Sequence, residues 1–159
     1  MRKVTVMRGI PGSGKSTQVR KIIQAPRPFG SSLGVCSADY FFVGPDGVYR
    51  FDASKLGEAH KSCLKRFLEF TNSNFNHIVV DNTNINPMDA VPYVAVAEAL
   101  GYDVEIVQVD CDPVVAASRN VHGVPAAKIK EMADRLQKIK PPKHWKITHV
   151  NPQNPPSTV

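Results

Sequence analysis

Gly9-Ile10-Pro11-Gly12-Ser13-Gly14-Lys15-Ser16 decides the fold. The octet satisfies GxxxxGK[ST] at every position, the pattern of a loop that cradles the phosphates of a nucleoside triphosphate. The spacing has a physical reason. Glycines let backbone N–H groups turn inward around an anion with no Cβ in the way. Lys15 reaches the β- and γ-phosphates, and Ser16 offers a hydroxyl to Mg²⁺. The helix that follows presents its positive end to the same anion. Gly9, Pro11, Gly12, Ser13, Gly14, Lys15 and Ser16 are therefore the expected nucleotide-binding residues.

The flanks fit that context. Residues 4–8 form an apolar strand ended by Arg8, and residues 14–24 read as a helix stopped by Pro26 and Pro28. Outward from there, β-branched apolar runs alternate with helical patterns, which predicts an α/β fold with a central parallel sheet flanked by helices. Strands are expected at 33–37, 77–81, 104–109 and, as a last short strand, 145–150. Helices are expected at 54–71, 88–100, 113–120 and 126–138. In the first of these, Leu56, Ala59/His60, Cys63, Phe67 and Phe70 recur every three or four residues as one apolar stripe. Between strand and helix, residues 41–52 carry Gly44-Pro45-Asp46-Gly47, a turn signal that folds the segment back on itself.

A chain of 159 residues with 42% hydrophobic and 21% charged residues is the size and make-up of one globular domain. One unit over 1–150 is expected, with a lid around 113–127, a loose proline-rich tail over 151–159, and no fused phosphatase or ligase. No run of 18 apolar residues exists, which excludes a spanning helix, and the short N-terminal apolar run reads as a strand and not as a leader. Cys36, Cys63 and Cys111 are far apart and form no CxxC pair, so neither zinc nor a disulfide framework is indicated, and a reducing cytosol is the natural setting. The formal charge of +6 gathers late in the chain. It suits a polyanionic ligand, and equally a solvated basic helix face.

Candidate partners for the loop sit at strand ends, where ligands of such sheets bind. Asp81 closes Ile78-Val79-Val80-Asp81 and suits a Mg²⁺ or hydroxyl contact, or a cap on the following turn. Asp39 closes Cys36-Ser37-Ala38-Asp39 and suits a general base or a turn residue. Arg119 precedes the break at His122-Gly123 and suits a lid cation or an exposed helical arginine. His122 suits a phosphate donor or a helix cap, and His60, on its apolar stripe, suits a core histidine more than a ligand.

Five stretches in order carry a family resemblance: Gly9 to Thr17, Ser37-Ala38-Asp39-Tyr40, Asp81-Asn82-Thr83-Asn84, Gly101-Tyr102, and Arg119-Asn120 with His122-Gly123-Val124-Pro125. Over residues 4–136 the chain resembles the P-loop polynucleotide 5′-hydroxyl kinases, and Tyr49-Arg50-Phe51-Asp52 followed by Ala59-His60 resembles their eukaryotic branch. The resemblance implies an adenylate-kinase-like fold with a lid, ATP with Mg²⁺, and γ-phosphoryl transfer to the 5′-hydroxyl of DNA or RNA. It implies Asp39 as general base, Asp81 and Asn84 at the acceptor or, for Asp81, the metal, and Thr17 and Arg119 on ATP. Ala38, Phe41 and His122 depart from the family, which often has aspartate at the first and cationic residues near the other two. Arg50 is the candidate replacement cation and His60 a candidate acceptor contact. No membrane and no obligate protein partner are implied. Two alternatives keep the loop and change the role: a kinase for another hydroxyl (a hydroxymethylated base, an aminoacyl-tRNA, a small metabolite), or an ATP-binding regulatory module without an acceptor.

Overall fold

The computed structural model describes residues 1–152; residues 153–159, where most of the expected tail falls, lie outside it. Five strands, β1 (Lys3–Arg8), β2 (Leu33–Cys36), β3 (His77–Val80), β4 (Asp103–Val109) and β5 (Ile147–Val150), make one sheet in the order β2-β3-β1-β4-β5. Every pairing is parallel. The helices are α1 (Lys15–Gln24), α2 (Leu56–Asn72), α3 (Pro87–Ala99), α4 (Pro113–Arg119) and α5 (Ala126–Lys138).

Both faces of the sheet are covered, as a parallel sheet requires. Val4, Val6, Ile78 and Val80 pack on one side with Ala59, Cys63 and Phe67 of α2 and Ala90, Tyr93, Val94 and Ala97 of α3. Met7, Val79 and Val109 pack on the other with Val19 of α1. A third cluster, Ile10, Ile85, Ala116 and Ile129, ties the base of the phosphate loop to α4 and α5. No helix among the described residues is long and apolar enough to cross a membrane.

Element starts follow local chemistry. Asn86 and Asp112 cap α3 and α4 with their side chains, each ahead of a first-turn proline. Gly101, at φ 78°, takes the left-handed position that ends α3. Several bounds differ from the sequence expectation. Ser37 leaves β2 to cap a 3-10 turn, Ala38–Phe42, by accepting from the Asp39 amide. Ser54 and Lys55 belong to another 3-10 turn, Ala53–Lys55, capped by Asp52 ahead of α2. Trp145 stays outside β5 and packs its ring on the core. Segment 41–52 does fold back: Val43 bridges Tyr49 antiparallel, and the Arg50 amide donates to the Phe42 carbonyl.

Two side chains depart from their expected places. His60 is exposed, because α2 buries Ala59, Cys63, Phe67 and Thr71 and leaves His60 at the stripe's outer edge. Arg8 does not mark the end of burial; it is 2% exposed and lies inside the molecule. Its Nε donates to the Asn84 carbonyl, Nη2 to the carbonyls of Ile85 and Ile139, and Nη1 to Gln108 Oε1.

Candidate active site

The carboxyl ends of β1, β2 and β3 lie on one edge, because Val6 pairs with Val80 and Cys36 with Val80 in register. The residues that leave those strands, Gly9 onward, Ser37 onward and Asp81 onward, therefore meet there. Gly12, at φ 77°, has a conformation that L residues avoid, and a Cβ on it would overlap the Ala116 carbonyl of α4. Gly14, at φ 104°, precedes the first turn of α1 with no side-chain cap, so that helix end keeps its amides for another acceptor. Ser13 Oγ is the one buried side-chain polar atom without a hydrogen-bond partner among the described residues. A buried hydroxyl left unpaired inside a loop of inward amides fits an anion.

Lys15 is folded over this loop. Its Nζ donates to the carbonyls of Gly9 and Ile10, both at 2.9 Å. The residue keeps some exposure along its chain, while the ammonium end lies enclosed. Burial lowers its pKa to about 8, against the opposing pull of Asp81, Asp39 and Cys111. Asp81 answers from β3: burial raises its carboxyl above the usual range, and the Lys15 charge partly offsets this. Ser16, exposed in the first turn of α1, and Asp81 are the oxygen donors that suit Mg²⁺, which prefers one or two protein oxygens beside phosphate and water.

Asp39 lies at the start of the 3-10 turn with its side chain 53% exposed. Tyr49 Oη donates to its Oδ1 at 3.3 Å, from the fold-back. His122 Nε2 stands 3.9 Å from its Oδ2, from the loop between α4 and α5. The Tyr49 and His122 rings lie 4.4 Å apart, centroid to centroid. Two segments, the fold-back and the loop between α4 and α5, thus converge on the Asp39 carboxylate. Asn82 links this turn to the neighbouring strand end: its Oδ1 accepts from the Ala38 amide at 2.8 Å and its Nδ2 reaches Cys63 Sγ at 3.5 Å. The Cys63 thiol is held below its ordinary range, chiefly by its buried partner Cys36, with Tyr93 and Asn82 adding to this and burial opposing it.

Of the other expected site residues, Asn84 is buried at φ 47° and donates to the Met7 carbonyl, while its own carbonyl accepts from Arg8, so it shapes the loop beside the P-loop. Arg119 ends α4, exposed; burial pushes the Cys111 thiol up, and the Arg119 charge offsets part of this. Arg50 is held in a two-pronged pair with Asp46, at 3.0 and 2.6 Å, and is not brought to Asp39. His60 stays on the outside of α2. Tyr49 and Asn82 carry no sequence signal of their own, since each matters only through a contact across the chain; Tyr49 lies in a stretch whose resemblance to a kinase branch marks it.

A family model described as an AAA domain matches residues 4–139. Human NEDD4-binding protein 2 is 36% identical over 140 residues, covering 86% of this chain and 8% of that protein. The chain spans only 7% to 11% of the length of the curated relatives it matches. Among solved structures, Chaetomium thermophilum Kti12 in complex with ADP-AlF3 superposes with a TM-score of 0.65 at 15% identity, covering 96% of this chain and 91% of that one. A chain of the Pnkp1/Rnl/Hen1 RNA repair complex superposes at 0.62 with 16% identity, covering 86% and 44%. At these identities the likeness is one of fold alone, an α/β domain with a central parallel sheet flanked by helices.

Proposed function

The chain belongs to the AAA-domain family, and from that premise we propose that it is an ATP-dependent kinase that transfers the γ-phosphoryl group to a nucleic-acid hydroxyl, the 5′-OH of DNA or RNA. One observation carries this: Asp81, just beyond β3, and Asp39, in the 3-10 turn beyond β2, both leave the sheet edge where the P-loop begins, and Asp39 is held there by a hydrogen bond from Tyr49 Oη at 3.3 Å. A site that only holds nucleotide needs the ammonium; a second carboxylate, kept exposed and hydrogen-bonded, suits an acceptor proton.

The chain's own residues divide the work. Loop amides and Lys15, once its Nζ turns from the Gly9 and Ile10 carbonyls to phosphate oxygens, hold the transferring group. Ser16 and Asp81 would hold Mg²⁺, which would neutralise charge on the phosphates. Asp39 takes the proton of the attacking hydroxyl as its oxygen bonds to phosphorus and the bridge to ADP breaks. Arg119 reaches the phosphates from a lid over 113–127 of a single domain.

Transfer of labelled γ-phosphate from ATP to 5′-OH oligonucleotides of DNA and RNA tests the proposal. Label is expected on the oligonucleotide, with Asp39→Asn cutting turnover at least a hundredfold while ATP binding persists. Intact ATP binding with no transfer to either polymer would sink the acceptor. Label on another hydroxyl compound would keep the kinase and replace the substrate.

A further inference from the structure

Beside Asp39 the protein exposes the rings of Tyr40, Phe41 and Phe51, which lie outside the core clusters and which the phosphate chemistry does not use. Phe42 is buried at 6% exposure and acts as their hub. Around it stand Phe41 at 5.4 Å, Phe51 at 5.1 Å and Tyr49 at 6.1 Å, all edge to face. Phe41 is 39% and Phe51 54% exposed, and Tyr40, next to Asp39 in the chain, is 56% exposed. Val43 and Val48 of the same fold-back are exposed as well. Apolar surface gathered in this way usually marks a contact site. Here the rings are fixed by the buried hub and by the Val43–Tyr49 bridge, so they meet a ligand already ordered.

We propose that this cluster is a stacking site for the nucleobases next to the accepting end, so that the acceptor is gripped as an unpaired strand; this rests on the kinase reading above. Three features favour that occupant. The cluster is continuous with the candidate base, since Tyr49 both packs on Phe42 and donates to Asp39. Its exposed members are chiefly flat rings, and every base offers a π-face to such a ring whatever the sequence. The adjoining helix α2 carries Lys61, Lys65 and Arg66 at exposed positions, with Lys55 exposed in the turn before it, and the chain's formal charge is +6, both complementary to a phosphate backbone.

Phe41→Leu, Phe51→Leu and Tyr40→Leu keep apolar bulk and remove the π-face; the buried hub is left intact. Binding of 5′-OH single strands of DNA and of RNA is measured by fluorescence anisotropy, beside the same strands with the two 5′-terminal bases removed and beside a blunt duplex. Each stack is worth about 1–3 kcal/mol, or about 5–150-fold in affinity. Intact single strands are expected to bind the leucine variants that much more weakly, with the KM for ATP unchanged. Strands lacking the two bases should bind the parent protein as weakly, and the variants should weaken them no further. Equal losses on strands with and without bases, losses under twofold, or tighter binding of the blunt duplex would overturn the stacking site. A concentration-dependent dimer that the variants abolish, with strand binding unchanged, would assign the rings to a second copy and overturn it too. Failure of the parent protein to bind or phosphorylate any strand, with transfer to another hydroxyl retained, would remove the acceptor reading and the stacking site together.

Discussion

Lys15 shows how one side chain can make phosphate binding depend on pH. Its ammonium is enclosed on two carbonyls, and burial brings its pKa down to about 8 from 10.5. Between those values the folded chain binds fewer protons at Lys15 than the unfolded chain does. The unliganded protein therefore gains stability from this group as pH rises from about 8 towards 10.5, and Lys15→Met should remove that slope in urea titrations. Phosphate needs the charged form, so ATP affinity should fall about tenfold per pH unit above about 8, measured by calorimetry. Asp81 pulls the Lys15 value up. Asp81→Asn should therefore move the break in the affinity profile to lower pH, and an unmoved break would show that the two groups do not share one site. Lys15, Asp39 and Asp81 were legible because each follows an apolar strand, and a parallel sheet brings strand ends together. Asn82 was quoted only within a motif; its link from the Ala38 amide to Cys63 Sγ depends on β2, β3 and α2 at once, and no local pattern encodes that.

The elements themselves were legible where hydrophobic period and capping agree, as at α3 and α4, each with an acidic or amide cap and a first-turn proline. They were less legible where short polar side chains compete for backbone amides. Ser37 and Asp52 do so, and they turn strand and helix ends into 3-10 turns. The fold-back and the loop between α4 and α5 meet through Tyr49 and His122, and their ring contact is the visible link between the two segments at Asp39. The His122–Asp39 pair is long and half-exposed, so its charge contributes little, and the ring contact is the larger part. His122→Phe should therefore keep the apparent affinity for the acceptor within about twofold, whereas His122→Ala should weaken it by about three- to tenfold. Both variants should melt within a few degrees of the parent protein, because His122 itself lies outside the three core clusters. Steady-state kinetics in ATP and in oligonucleotide, run side by side, check this.

At the scale of the molecule, Arg8 links parts that composition and period describe only separately. From β1 it reaches the loop after β3 through Asn84 and Ile85, β4 through Gln108, and the C-cap of α5 through Ile139. Burial lowers its pKa while the nearby Asp110 raises it, so the charge is retained at a cost that hydrogen bonds must offset. In sequence it is merely the charged residue where an apolar strand stops, which is why its burial was not legible. Its position, directly before Gly9, means that the same side chain sets where the phosphate loop begins. Arg8→Met keeps the length and removes the fork, leaving three buried carbonyls short of a donor. The expected cost is about 3–5 kcal/mol, by analogy with removing one partner of a buried ionic network. Arg8→Lys should recover little of it, because one ammonium cannot reach partners that a planar fork meets with four hydrogen bonds. Urea unfolding of both variants, followed by circular dichroism, gives the midpoints. A loss under about 1 kcal/mol in Arg8→Met would mean that the sheet and its helices hold the 84–85 loop without this tie.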